Sequence, residues 1–185
     1  MYAQQDLGFR YREGECVNDN GDKGNNPGYV GECGALRGVD LREAHLDELD
    51  LSGADLHAAR LTMAKLRGAV LRGARLRTAE LESADLRQAD LTDAWLERAN
   101  MRLADLTNAR LEGARLNRAN LSGAVLRDAL LARADLRTAD LRGADLSFAD
   151  LSRANLRGAL YNGSTVLPTT LAPGEAERRG MVYQP

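Results

Sequence analysis

The side chains of this 185-residue chain with the most chemical potential are two cysteines, two histidines, one tryptophan and a dense population of aspartates and arginines. Cys16 and Cys33 lie seventeen residues apart in a Gly/Asn-rich stretch. A disulfide between them would close a medium loop and contribute about 3 kcal/mol if unstrained. We expect that disulfide, and with it an oxidising, extracytoplasmic compartment (periplasmic or secreted). Two free thiols in a cytoplasmic protein are the alternative. A zinc site is not expected, because two sulfurs are not four ligands and His45 and His57 show no ligand spacing. No other metal and no cofactor is called for. Carboxylates in pairs are the raw material of acid–base catalysis, and aspartates recur at five-residue intervals, as in Ala84-Asp85-Leu86 and Ala89-Asp90-Leu91. Such regularity reads as structural, with outward Asp or Asn bonding neighbouring turns. There is no G-x-S-x-G, P-loop, H-E-x-x-H or dinucleotide fingerprint. No catalytic residue is assigned, and the chain is expected not to be an enzyme.

The element that positions these residues is a five-residue beat. From residue 36 to 156 every fifth residue is leucine except Met101, which makes 24 leucines in 25 positions. Two residues ahead of each, from 44 to 159, stands alanine, with Leu49 the one exception. Asp or Asn lies between them in 13 of the 25 units, and no unit is inserted or deleted. An α-helix turns 100° per residue, so a period of five would smear the leucines around its cylinder. A flat strand has period two and would send alternate leucines to opposite faces. One geometry works: each unit is one short side of a coil, with Ala and Leu inward, the residue between them outward, and the two residues after Leu turning the corner. The chain is therefore a β-solenoid. Corner residues such as those of "LSGADL" and "LRGARL" are small or polar, as tight turns need. Alanine in every unit suits a narrow interior that a second large side chain would overfill.

Units such as Ala54-Asp55-Leu56, Ala99-Asn100-Met101, Ala119-Asn120-Leu121 and Ala154-Asn155-Leu156 resemble the A(D/N)LXX motif of the pentapeptide-repeat family. The resemblance implies an all-β fold: a right-handed quadrilateral parallel β-helix with four units, twenty residues, per coil. On that reading the repeats make slightly over six coils, a rod about 30 Å long. Residues 1–33 are off the beat and aromatic for this chain (Tyr2, Phe9, Tyr11, Tyr29), and we expect an N-terminal cap. The solenoid itself spans 34–162, with Tyr161 and Val166 still in phase. A C-terminal cap and tail follow over 163–185, where Pro173 can open a short helix running to about Arg179, with Gly180 as its stop.

Twenty residues per coil allow the outward side chains to be sorted by side. The side carrying Leu36, Leu56, Leu76, Leu96, Leu116, Leu136 and Leu156 has eight arginines (Arg37, Arg75, Arg77, Arg98, Arg115, Arg118, Arg137, Arg157) against Asp55, Glu97 and Asp135, a net +5. The sides beginning at Leu41, Leu46 and Leu51 come to −1, −2 and −1. A chain of formal charge −2 thus conceals one basic side, and at its middle Trp95 stands where the repeat ordinarily has Asp or Asn. Trp and Arg are enriched at binding hot spots, so Trp95, Arg75, Arg77, Arg98, Arg115, Arg118 and Arg137 form the candidate binding set. The competing reading is that charges scatter by chance and Trp95 merely stacks on Arg75 or Arg115 a coil away. Leu103, Val125, Leu130 and Phe148 also fall outward, as a small oligomer contact or as stray surface residues.

The bulk charge calls for neither nucleic acid nor an acidic tail. No apolar run approaches the roughly 18 residues of a membrane span, and the opening "MYAQQDLGFRYREG" has no signal-type apolar region. The expected function is a non-enzymatic scaffold presenting a rigid face to a protein or polyanion, as a monomer rather than a dimer. The family resemblance supplies the alternative, a DNA mimic that occupies a type II topoisomerase such as DNA gyrase, as fluoroquinolone-resistance members are thought to do. Such mimicry implies a markedly acidic, dimeric rod. Near-neutral charge, a basic side and Leu in place of frequent Phe all depart from it.

Overall fold

In the computed structural model the described residues are 9–12, 15–18, 36–171 and 174–185. Each unit contributes one residue, the one between Ala and Leu, to a parallel bridge with its counterpart twenty residues on, from Asp40↔Arg60 to Asp140↔Leu160. Four five-residue sides therefore close each turn, and the coil is a quadrilateral parallel β-helix. The inward assignment holds throughout. The leucines from Leu36 to Leu156 are buried, Ala54 to Ala159 line the same interior, and Met101 fills the leucine site without exposure.

A count of backbone donors explains why five residues suffice. In the unit around Leu41, the Leu41 N–H donates to Arg60 O of the next coil (2.8 Å) and the corner Glu43 N–H donates to Thr62 O (3.0 Å). The Arg60 N–H returns to Val39 O (2.8 Å), and the Ala44 N–H closes the turn on Leu41 O (3.2 Å). The second residue after each leucine has positive φ in all twenty-five units, eight of them glycine and seventeen not. A hydrogen-bonded turn with φ > 0 at its third residue is type II, a conformation that non-glycine residues ordinarily resist. Here the ladder bond from that residue's N–H holds it in place.

One donor per unit remains, the N–H of the first corner residue. All thirteen Asp and Asn of the repeat accept it with their side-chain oxygen. Examples are Ser52 N–H to Asp50 (3.0 Å), Arg87 N–H to Asp85 (3.2 Å) and Ser122 N–H to Asn120 (3.1 Å). Asp and Asn recur because they satisfy their own corner, two residues on. They do not chiefly bond neighbouring turns, as the sequence led us to expect. Cross-coil side-chain bonds are the minority, such as Asn120 Nδ2 to Asn100 Oδ1 (3.2 Å).

The beat breaks after Tyr161. Tyr161 takes the inward leucine site, but Val166 bridges Asp145, one residue later than the register requires, and is 48 % exposed. The extra residue is absorbed by the Asn162–Thr165 turn, in which the Gly143 N–H is shared between Asn162 Oδ1 (3.0 Å) and Thr165 Oγ1 (3.1 Å). Val166 therefore points outward, not inward in phase, and Leu167 packs on the core instead.

Strands β1 (Phe9–Arg12) and β2 (Glu15–Asn18) pair antiparallel. The proposed capping role of residues 1–33 and the Cys16–Cys33 disulfide lie outside the described residues, since Cys33 and the Cys16 side chain are not among them. At the other end, β3 (Leu160–Tyr161) pairs parallel with β4 (Val182–Tyr183). Between them, helix α1 spans Glu175–Arg178, shorter than expected. Pro173 falls outside the described residues. The helix ends in a Schellman turn: the Gly180 N–H donates to Glu177 O (2.8 Å), the Met181 N–H to Ala176 O (3.0 Å), and Gly180 has φ 82°. The apolar pair that accompanies this turn, Ala176 and Met181, is buried against the last coil. There Gly158 N–H meets Gly180 O (2.7 Å), and Arg179 donates to the carbonyls of Leu151 and Ala154 (3.0 and 2.6 Å). The Tyr161 hydroxyl donates to Glu177, which pushes the phenol up to about 12. Among the described residues no helix is long and apolar enough to cross a membrane.

Candidate functional site

The basic side is built from three outward columns. The first holds Asp55, Arg75, Trp95, Arg115 and Asp135, consecutive partners in the parallel ladder. Stacked coils are about 4.8 Å apart, close to the spacing at which flat groups stack. The Trp95 ring accordingly lies between two guanidiniums, with Arg115 Cζ 4.4 Å from its centroid and Arg75 Cζ 5.6 Å away. Each is a cation–π contact worth about 0.5–1 kcal/mol at an exposed site. The backbone ladder thus places Trp95 between the two arginines without any distant contact. At the next corner, Arg98 and Arg118 sit one coil apart, both exposed and both with positive φ (60° and 63°).

The remaining candidates are committed elsewhere. Arg77 lies 3.8 Å from Glu97, and Arg137 forks onto Asp135 with contacts of 2.8 and 2.6 Å. The Arg137 guanidinium, with its backbone N–H and the Arg115 charge, holds the Asp135 carboxyl below the usual carboxylate range. Arg37 lies 3.9 Å from Asp55. Three of the eight arginines thus pair with the side's three acids. Arg75, Arg98, Arg115, Arg118 and Arg157 keep no ion-pair partner among the described residues. Net +5 by sequence corresponds to five guanidiniums without an ion-pair partner among the described residues.

The side beginning at Leu41 behaves in the opposite way, because all four of its bases are neutralised. Arg42 and Arg142 fork onto Asp40 and Asp140 (2.6 Å each at the closer oxygen), Arg60 lies between Asp40 and Glu80 (3.4 and 3.7 Å), and Arg102 holds Glu82 (2.5 Å). The fork from Arg42 lowers Asp40 to about 2. On the next two sides Arg87, Arg127, Arg72 and Arg110 are likewise within ion-pair distance of acids. Among the described residues no group of three or more His, Cys, Asp or Glu could hold a metal ion. Leu103, Leu130 and Phe148 are exposed, but they spread from one corner of the Leu46 side onto the side after it and form no single edge.

The sequence profile of pentapeptide repeats matches in eight copies, over residues 36–73, 84–123 and 119–158. The chain belongs to the pentapeptide-repeat family. Its fold is the right-handed quadrilateral β-helix of that family. Among solved structures, it resembles full-length QnrB1, a plasmid-mediated fluoroquinolone resistance protein, with a TM-score of 0.56 over 80 % of this chain and 86 % of that one. At 19 % identity that likeness concerns the fold alone. Higher identities are found with two proteins of the cyanobacterium Nostoc PCC 7120. The pentapeptide-repeat protein alr5209 is 33 % identical over 60 % of this chain and 84 % of its own (TM-score 0.46). HetL, involved in heterocyst differentiation regulation, is 35 % identical over 71 % of this chain and 76 % of its own (TM-score 0.35). No curated protein sequence matches.

Within this pentapeptide-repeat framework, the site was visible in sequence as a charge excess and a misplaced tryptophan. Sequence reasoning missed which arginines are free. Spacing carries no signal that separates them: Asp135 pairs with Arg137 and Glu97 lies near Arg77, yet Asp55 and Asp135 also neighbour Arg75 and Arg115 in the ladder without pairing with them.

Proposed function

We propose that this pentapeptide-repeat protein is a non-enzymatic scaffold, acting as a monomer, whose Leu36-to-Leu156 side binds an anionic partner. The single observation supporting this is the contrast in pairing. Five of eight arginines on that side lack a described ion-pair partner, whereas every base on the adjoining Leu41 side has one. An unpaired guanidinium can exchange water for an anionic partner without breaking a bond at home, and a local field of this kind steers encounter regardless of the −2 net charge. The rigid ladder holds the arginines on one side in advance.

The test is capture of cellular proteins and polyanions on immobilised protein, eluted with a salt gradient. Arg75→Glu with Arg115→Glu should abolish the salt-sensitive fraction. Arg133→Glu with Arg153→Glu, on the Leu51 side and without described ion pairs, should preserve it. Equal capture by both charge-reversed proteins would contradict the proposal. A rod that mimics DNA needs acidic sides, so we expect gyrase supercoiling to run at the same rate with and without this protein.

A further inference from the structure

The four central unpaired arginines define the size and chemistry of their ligand. Arg75, Arg98, Arg115 and Arg118 belong to three successive coils of one side and its corner. Two coil intervals of about 4.8 Å make the patch about 10 Å long, and three outward residues at about 3.3 Å each make it about 7–10 Å wide. Rows of mutually paired charges border it, with Glu80 held by Arg60, Glu82 by Arg102 and Glu112 by Arg110, so they offer no free cation. Glu80 and Glu82 follow on one flank, and Asp93 and Glu112 precede on the other. A nucleic-acid duplex is broader than its own major groove of about 12 Å, so its phosphates would overhang these rows. A single strand is narrow enough, but such strands are held by bases stacked on open aromatic faces. Trp95, the lone tryptophan, has an arginine from the coil before and the coil after over its ring. The ring is therefore a spacer that holds two guanidiniums in place, with their outer N–H groups left for carboxylates, which arginine grips two bonds at a time.

We propose that the ligand of this patch is a short acidic segment of a protein: an extended run of three or four residues carrying at least two carboxylates. This rests on the preceding reading that the basic side binds anions, and it adds the class of partner. Extended chain rises about 3.3 Å per residue, so such a run matches the patch length.

The experiment is fluorescence anisotropy of three labelled probes with the full-length protein at low and physiological salt: an eight-residue peptide of Asp and Glu spaced by Gly, a thymidine octanucleotide, and a 16-base-pair duplex. We expect the peptide to bind at least tenfold more tightly than either nucleic acid. Trp95→Ala should weaken it about tenfold, since two arginines must then be ordered during binding rather than before it. Trp95→Phe should recover part of that loss, and circular dichroism would verify that both variants remain folded. Octanucleotide or duplex binding as tight as the peptide, lost in Arg75→Glu with Arg115→Glu, would overturn the acidic-segment proposal while leaving the basic-side reading intact. Peptide binding indifferent to that charge reversal, or no binding by any probe, would overturn both.

Discussion

Asp90 offers the clearest test of why the repeat carries Asp or Asn. It is the one buried charged residue of the described part, 9 % exposed. Its Oδ1 accepts the Thr92 N–H at 3.1 Å and the Thr92 hydroxyl at 2.6 Å, and its Oδ2 accepts Arg72 Nε at 2.6 Å. Asp90→Ala removes both acceptor oxygens and with them all three hydrogen bonds. The Arg72 side chain is 58 % exposed and rehydrates readily, so losing that pair should matter little. The Thr92 N–H is the corner's leftover donor, comparable to a helix N-cap donor, and losing its acceptor costs about 1 kcal/mol. Together with the hydroxyl bond, the expected loss is about 1.5–2.5 kcal/mol. Asp90→Asn keeps an oxygen for the N–H and should cost less than about 1 kcal/mol. Glu80→Ala is the control: it occupies the same repeat position but accepts no described corner N–H, and its removal should stay within about 0.5 kcal/mol. Urea unfolding followed by far-UV circular dichroism, compared at a common m-value, reads the differences. Equal losses for Asp90→Ala and Glu80→Ala, or Asp90→Asn as costly as Asp90→Ala, would refute the turn-capping argument.

The interior should be far less forgiving than the outer positions. Leu86→Ala opens a cavity in a fully buried column and should cost about 3–5 kcal/mol, against about 0.5 kcal/mol for the outward Arg87→Gln, both read by urea unfolding. Corner strain can be isolated at Gly73, where φ is 61° and an added Cβ meets nothing within 4 Å, so Gly73→Ala should cost about 1 kcal/mol from backbone alone. At Gly113 the added methyl meets only the exposed Asp93 carboxylate, which can turn away, so Gly113→Ala should cost about as much as Gly73→Ala. Acid should unfold the rod through its aspartates. Asp40, Asp85, Asp135 and Asp140 are held low chiefly by hydrogen bonds from the arginine two residues on. Asp90 and Asp145 are raised by burial but brought below normal by the Thr92 and Ser147 hydroxyls and N–H groups. A carboxyl depressed in the folded state stabilises above its unfolded pKa of about 4 and loses that contribution as pH falls through its folded value. Melting temperature should be level above about pH 5 and fall steadily from pH 4 towards 2.

The coil was legible because its determinant is arithmetic. Leucine every fifth residue with alanine two before it admits one geometry, and both columns are buried as expected. Val166 shows where counting stops. It keeps the sequence phase, but the Asn162–Thr165 turn takes up one extra residue through Asn162 and Thr165 side chains, which no hydrophobic pattern records. The role of Asp and Asn was misjudged for a related reason. Their partner is a backbone N–H two residues away, visible only once the turn type is known. On the basic side, column membership followed from the register, and so did the Arg75–Trp95–Arg115 stack. The withdrawal of Arg77 and Arg137 did not, because ion pairing depends on side-chain geometry that spacing alone leaves open.

Trp95 is the only tryptophan, so a proton–nitrogen spectrum of the labelled protein carries a single indole signal at the centre of the basic side. Following that signal during titration with the Asp/Glu peptide tests the central claim most directly. The account predicts a saturable shift that reverses when salt is raised, because exposed charges are screened over about 8–10 Å at physiological ionic strength. An indole signal that stays fixed while the peptide binds to saturation would place the binding surface elsewhere and contradict the account.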